Sequence, residues 1–345
     1  MKTLLLRIIY ITFGIGFIFF TLYSQEPEDN TKRIEKKWGM EDDDKKIVVK
    51  KAVTVDNPVP LFLTQFHPDK QEYPINPTME NMIVGKMGTK ITIPPNSIVL
   101  PMGYKRGDIL TLELIEVYND LDFITSGISL EYFNPNPNIF ESGGMFKLTA
   151  SYFDKPLNLK RGVKLKVEIP SLIFTDKKMN AYKFDEKQGW VDKGEISNSG
   201  ETNVELRSNL LFKFMDDFKW WNCDYPNSDT TCIEGKILPF ENNTPFSVTS
   251  VGIDYKNAAT RYADNSGKFQ MNAIKGKRIK LIAMDSKGNI GLLAEINTGN
   301  LAAFLGATGK DKCTDVGSIQ IKKVDREILK DRTKLLNHLG LYDLK

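Results

Sequence analysis

The chain has 345 residues, 41% hydrophobic and 26% charged, with only two His and three Cys. These proportions support buried cores and exclude a chain disordered throughout, while two His argue against a multi-His metal site and most hydrolytic triads. The formal charge is +3, and loss of Lys2 and Arg7 with a leader gives 45 − 44 = +1, too little to hold a nucleic acid through bulk charge.

At about 100–200 residues per domain, the length suggests two or three domains. Lys2 and Arg7 open the chain, and residues 8–23 form a 16-residue apolar run without charge. Leu22-Tyr23-Ser24 then offers a small residue ahead of Glu26-Pro27-Glu28-Asp29. This is the plan of a cleaved secretory signal over residues 1–25. The alternative is an anchor over residues 4–23. Sixteen residues rise about 24 Å against a hydrocarbon core of roughly 30 Å, and starting at Leu4 places Arg7 inside. No Cys follows the run, so an N-terminal lipid is not expected. Export means the periplasm, the outer surface or the medium. A membrane is a partner only if the leader stays attached.

Residues 26–80 are first charge-dense and then Pro-containing. Glu41-Asp42-Asp43-Asp44 beside Lys45-Lys46 lacks the D-x-[DN]-x-[DN]-G spacing of a Ca²⁺ loop and reads as a solvated linker. Pro58, Pro60, Pro68, Pro74 and Pro77 predict extended, irregular chain. From 81 to 217 the pattern becomes β. Thr89-Lys90-Ile91-Thr92-Ile93 alternates, Leu110, Leu112 and Leu114 share a face, and Val163, Leu165, Val167 and Ile169 point inward between Lys164, Lys166 and Glu168. Period two with one polar face predicts half-buried antiparallel strands. Shorter strands are predicted at 233–238, 246–251, 260–263, 268–272, 278–284, 290–296 and 318–324, with a hairpin turn at Asp264-Asn265-Ser266-Gly267. Over 325–340, Ile328, Leu329, Leu335, Leu336 and Leu339 predict a helix stopped by Gly340, packed on its parent domain or presented to a partner.

In an oxidising space Cys223, Cys232 and Cys313 favour a disulfide with one thiol left over. Cys223 with Cys232, flanking Asp224-Tyr225-Pro226-Asn227-Ser228-Asp229, is the simplest pair, and Cys232 with Cys313 is the next. Neither His67 nor His338 sits at ligand spacing to a Cys, so no metal site is assigned. H-E-x-x-H, C-x-x-C, G-x-S-x-G and the Walker A loop do not occur. Asp120 with Asp122, and Asp216 with Asp217, make poor acid/base pairs at their loop spacing.

Gly88-Thr89-Lys90-Ile91-Thr92-Ile93-Pro94-Pro95-Asn96-Ser97, Glu141-Ser142-Gly143-Gly144-Met145-Phe146, Leu157-Asn158-Leu159 and Trp190 together resemble the ZU5-type β domain. Cys232-Ile233-Glu234-Gly235-Lys236-Ile237, Gly252-Ile253-Asp254-Tyr255, Tyr262 to Phe269 in turn, and Asp315-Val316-Gly317-Ser318-Ile319 resemble the carboxypeptidase regulatory-like domain, a transthyretin-like sandwich. The resemblances imply a bacterial cell-envelope protein with a ZU5-like domain over 81–217, an accessory sandwich over 218–324 and a C-terminal helix over 325–345. The second resemblance implies no catalytic residue. Some ZU5-type proteins cleave themselves at a His-Phe-Ser step. The corresponding stretch here is Asp217-Phe218-Lys219, which has no hydroxyl to attack with.

The fold expected is therefore all-β: two antiparallel β-sandwich domains in tandem with a short C-terminal α-helix. Trp190, Trp220, Trp221 and Tyr225 are expected to plug the domain boundary, or alternatively to stack on sugar rings or anchor a protein. The expected function is a non-catalytic binding or structural module of the envelope, with no cofactor, acting on an envelope protein or polysaccharide. Its alternatives are a carbohydrate-binding module or a carbohydrate-active or peptidase-like hydrolase. A denaturing gel of the purified protein should show no pair of fragments joined at 218/219, and such a pair would refute the absence of self-cleavage.

Overall fold

The computed structural model describes residues 59–133, 136–170, 179–198, 209–239, 245–299 and 313–342, without the side chains of 197–198 and 209–214. The leader and the acidic cluster at 41–44 lie outside these residues. The described chain is mostly strand. It opens with a 3₁₀ turn (Leu61–Phe66), then β1 (Lys70–Ile75), β2 (Asn81–Val84), β3 (Lys90–Ile93), β4 (Leu110–Val117) and a short helix α1 (Asp120–Thr125). There follow β5 (Glu131–Phe133), β6 (Pro137–Tyr152), β7 (Lys155–Pro156), β8 (Leu165–Pro170), β9 (Asn180–Asp185), β10 (Gly189–Glu195), β11 (Ser197–Asn198), β12 (Asn209–Met215) and β13 (Trp220–Asn227). One sheet of eight strands has the six-strand path β1-β4-β6-β13-β9-β10, with β5 and β7 also on β6. The other has the order β11-β12-β8-β3-β2.

These two antiparallel sheets form a sandwich. Ile75, Leu110, Leu112, Leu114, Phe146, Leu148 and Trp221 from the first meet Ile83, Ile91, Ile93, Leu165, Val167, Ile169 and Met215 from the second. The alternation read from Leu110, Leu112, Leu114 and from Leu165, Val167, Ile169 is the inward face of this core. Residues 70–75, expected to be irregular, instead form β1. Pro74 is tolerated because β1 is an edge strand, where a missing N–H costs little.

The glycines of the Glu-Ser-Gly-Gly-Met-Phe stretch have a local cause. Gly144 has φ +139°, and a Cβ there would lie 2.5 Å from a ring carbon of Tyr118. Met145 and Phe146 beside it are fully buried. Likewise the loop before β3 wraps a buried carboxylate: Glu116 accepts from the Gln71 side chain at 2.8 Å, Met87 N at 2.9 Å and Thr89 N at 3.0 Å. Gly85 lies against that carboxylate, where a side chain would collide with it.

The second body contains β14 (Thr230–Leu238), β15 (Phe246–Gly252), β16 (Ala258–Tyr262), β17 (Lys268–Ile274), β18 (Arg278–Asp285), β19 (Asn289–Asn297) and β20 (Thr314–Lys323). Its sheet order is β16-β15-β18-β19-β20-β14-β17, and the two end strands meet, so the sheet nearly closes on itself. Among the described residues only β14 with β20 is parallel. The architecture is all-β, with two antiparallel sandwich-like bodies in tandem and short C-terminal helices. In the hairpin before β17, Gly267 takes φ +78°, while Asp264 Oδ1 accepts from Ser266 N and Lys268 N. The C-terminal stripe is split into α2 (Arg326–Leu329) and α3 (Arg332–Leu339) because Asp331 caps a new start, accepting from Lys334 N. Gly340 ends α3 at φ +62°.

The two bodies share a core. The face of the six-strand sheet turned away from the sandwich carries Val117, Phe140, Met145, Tyr182, Phe184 and Trp190. It packs on Val251, Ala258, Ile282, Met284 and Ile290 of the second body and on Leu329, Leu335, Leu336 and Leu339 of the helices. The segment before β5 and the start of β16 also bond directly: Leu130 N donates to Ala258 O at 3.0 Å, and Asn257 Nδ2 donates to Phe140 O at 3.0 Å. Glu131 pairs with Arg261 at 2.7 Å, with both side chains almost out of solvent, and Lys256 pairs with Asp120 at 2.6 Å. Arg332 of α3 reaches Asp122 of α1 at 2.8 Å, while Lys280 Nζ donates to the carbonyls of Leu339 and Gly340. All described residues accordingly fall in one compact unit, 46–345.

Removing one member of a buried pair leaves the other charge without its partner. Arg261→Ala should therefore cost about 3–5 kcal/mol in urea unfolding, and the double variant Glu131→Gln/Arg261→Met should recover much of that loss. A single variant within about 1 kcal/mol of wild type would show that the pair behaves like an exposed one.

Candidate functional site

Strand β13 positions most of the residues singled out in the sequence. The boundary expected at 217/218 falls just before it, yet β13 lies inside the first body, between β6 and β9. Its side chains alternate. Trp221 and Cys223 enter the sandwich core, and Tyr225 packs on that core, half-buried. Trp220 instead faces the shared core. Trp190, on β10, is buried in the shared core, donates its indole N–H to Ser129 O at 2.8 Å and packs edge-on to Phe184. The four aromatics therefore do not form one cluster: Trp190 and Trp220 lie at the junction, whereas Trp221 and Tyr225 stabilise the first body. Trp221 is fully buried with its N–H on Asp217 O at 3.1 Å, so it cannot stack on a sugar.

The simplest cysteine pairing is also corrected. Cys232 is bonded to Cys313, and Cys223 is a free, buried thiol. Cys223 sits in the middle of β13, held between two strands with its side chain in the first core, and cannot reach the start of β14. Cys232 and Cys313 lie close at the starts of the parallel neighbours β14 and β20, with Cα atoms 4.5 Å apart. Burial pushes the Cys223 thiol well above its ordinary pKa, and the neighbouring Asp224 carboxyl acts in the same direction.

Opposite Trp221 and Cys223, β13 carries Asn222 and Asp224, both wholly buried. Ser142 Oγ donates to Asn222 Oδ1 at 3.0 Å, and Asn222 Nδ2 donates to Asp224 Oδ2. Burial raises the Asp224 carboxyl well above the usual carboxylate range, which favours its neutral acid form. This chain of side chains lies beside Lys256, whose carbonyl accepts from Ser142 N at 2.8 Å, and so belongs to the junction.

Beside Trp220 a cleft of about 760 Å³ opens, lined by residues of the first body. Its floor is a cross-strand row on the six-strand sheet. Ile115 on β4 stands opposite Lys147 on β6, and Lys147 stands opposite Trp220 on β13. The pairing of Trp221 with Lys183 brings Phe184 next along the row, and Phe184 pairs with Trp190. The Lys147 ammonium lies 5.6 Å from the centre of the Trp220 ring. The walls come from Val59, Thr64 and His67 around the 3₁₀ turn, from 126–128 after α1, and from Glu186, Phe218 and Lys219. Lys219 lies 3.9 Å from Asp185 and 3.8 Å from Asp217. Partial burial lowers the pKa of His67, favouring neutral imidazole at pH 7.

His67 and Lys219 thus line the cleft, while His338 lies in α3. The lining comes from seven separate stretches of chain, so no local motif announced it. Lys147 and Trp220 as cross-strand neighbours are visible only once β6 and β13 are paired. Among the described residues no group of His, Cys, Asp or Glu is arranged to hold a metal ion, and no helix is long and apolar enough to cross a membrane. No model of a known protein family matches the chain, and no curated protein matches it.

Thiol titration tests the cysteine assignment. The native protein should show no thiol reacting quickly, and the unfolded, unreduced protein should show one per chain, at Cys223. A rapidly labelled native thiol, or labelling of Cys232 in place of Cys223, would contradict it.

Proposed function

We propose that this protein is a non-catalytic binding module of the bacterial cell envelope, and that it engages its ligand in the cleft beside Trp220. The observation that carries the reading is a large, half-buried indole at the floor of an open cleft, rimmed by polar groups, on a sheet that is held rigidly from behind. A flat aromatic ring with hydroxyl, carboxylate and ammonium groups around it suits a sugar ring, whose axial C–H face stacks on the indole while its hydroxyls meet Thr64, Ser126 and Glu186. An envelope polysaccharide is therefore the favoured ligand over a protein partner.

Export agrees with the Cys232–Cys313 bridge, since disulfides persist in oxidising compartments. The resemblance of 88–195 to ZU5-type domains, and of 218–324 to carboxypeptidase regulatory-like domains, fits an accessory role beside other envelope components. Fusion of the two bodies through a common core suits a scaffold that presents a fixed surface. The hydrolase alternative needs two convergent acid/base groups. No hydrogen bond or ion pair among the described residues links His67 to Glu186, the pair in the cleft best suited by type.

The test is retention of the full chain on insoluble envelope polysaccharide. Wild type should be retained, and Trp220→Ala, with its folded state checked by near-UV circular dichroism, should weaken retention roughly tenfold or more, as expected for an aromatic anchor. Trp221→Ala, by contrast, should lower stability by about 3–5 kcal/mol through the cavity it leaves. Equal retention of wild type and Trp220→Ala would remove the cleft from the account.

A further inference from the structure

The cleft floor contains one element that a platform for neutral sugars does not need. Lys147 stands between Ile115 and Trp220 in the cross-strand row, half-buried, with its ammonium above the indole. An ammonium in such surroundings loses part of its hydration, and contact with a ring face replaces only some of it. The other ammonium in the cleft, Lys219, is already shared between Asp185 and Asp217. Lys147 forms no ion pair among the described residues, although its charge helps to hold the carboxyl of Glu113, on the adjacent strand, below its ordinary pKa. It is therefore the cation placed to receive an anion from outside, beside the ring on which a sugar would lie.

Resting on the reading of this cleft as the binding site, we propose that its ligand is an acidic sugar: a uronate unit of an envelope polysaccharide, with its ring on Trp220 and its carboxylate on the Lys147 ammonium. The geometry supports the pairing because neighbours directly across antiparallel strands stand about 4.5–5.5 Å apart at Cβ. One pyranose ring can then lie against the part of the indole that the Lys147 ammonium leaves uncovered, while its C6 carboxylate extends over the next strand to that ammonium. Glu186 at the rim accepts from sugar hydroxyls and keeps a second carboxylate at a distance, which favours one acidic unit in the cleft over a dense polyanion.

Calorimetric titration of the full chain with a galactoside oligomer carrying a single galacturonate unit, and separately with the uncharged oligogalactoside, tests this. Binding of the acid should exceed binding of the neutral sugar and weaken with added salt. Lys147→Met should lower it roughly tenfold or more, with Lys147→Arg retaining most of it, as expected for a charged hydrogen bond. Equal binding of both sugars through Trp220, unchanged in Lys147→Met, would overturn the acidic-ligand assignment and leave the cleft standing. Binding of the acid that survives Trp220→Ala would overturn the cleft itself. Failure of the acid to bind where the neutral sugar binds, or failure of both, would overturn the uronate proposal.

Discussion

The six-strand sheet of the first body has no solvent-facing side at its centre. One face packs into the sandwich against the five-strand sheet, and the other packs on the second body and the C-terminal helices. Strand β6 is buried at ten consecutive residues from Pro137 to Phe146, including Glu141 and Ser142. Asn222 and Asp224 on β13 are buried with them. Polar groups in such a place are tolerated only when they bond to one another or to backbone, which is what Ser142, Asn222 and Asp224 do. The second body is therefore a lid that the first requires, and the joint between them is part of the core.

That constraint also shapes the cleft. The shared core covers Phe140, Tyr182 and Trp190 completely, but at the row through Ile115, Lys147 and Trp220 the covering elements give way to the 3₁₀ turn and the loop after α1. Trp220 is left half-buried, fixed by its strand and its neighbours yet open on one side. A ring held this way loses little freedom on binding, which is the advantage of building a site on a rigid sheet. The bridge between Cys232 and Cys313 does comparable work in the second body, fastening the parallel pair β14 and β20 where they start.

The strands with one wet face were legible in the sequence, because Leu110, Leu112, Leu114 and Leu165, Val167, Ile169 alternate with polar residues. So were the hairpin at Gly267 and the helix stop at Gly340, which depend on local backbone chemistry. The central strands were not. Burial of β6 and β13 on both faces removes the period-two signal, and Trp220-Trp221-Asn222-Cys223 then reads as a boundary instead of a strand between two neighbours. The error in cysteine pairing follows from the same cause: nearness in sequence suggested Cys223 with Cys232, whereas β13 carries Cys223 into one core and β14 starts another. β1 was hidden by Pro74, which an edge strand accommodates. The cleft was the least visible feature. The sequence drew attention to the tryptophans, but only the pairing of β4, β6 and β13 separates the buried Trp221 from the open Trp220 and sets Lys147 beside it.

The central claim is that the two β bodies fold as one unit around a common core. Differential scanning calorimetry of the full chain measures this most directly. A single transition is expected, with van't Hoff and calorimetric enthalpies equal. Two resolved transitions, or a calorimetric enthalpy well above the van't Hoff value, would mean that the bodies unfold separately, and would contradict it.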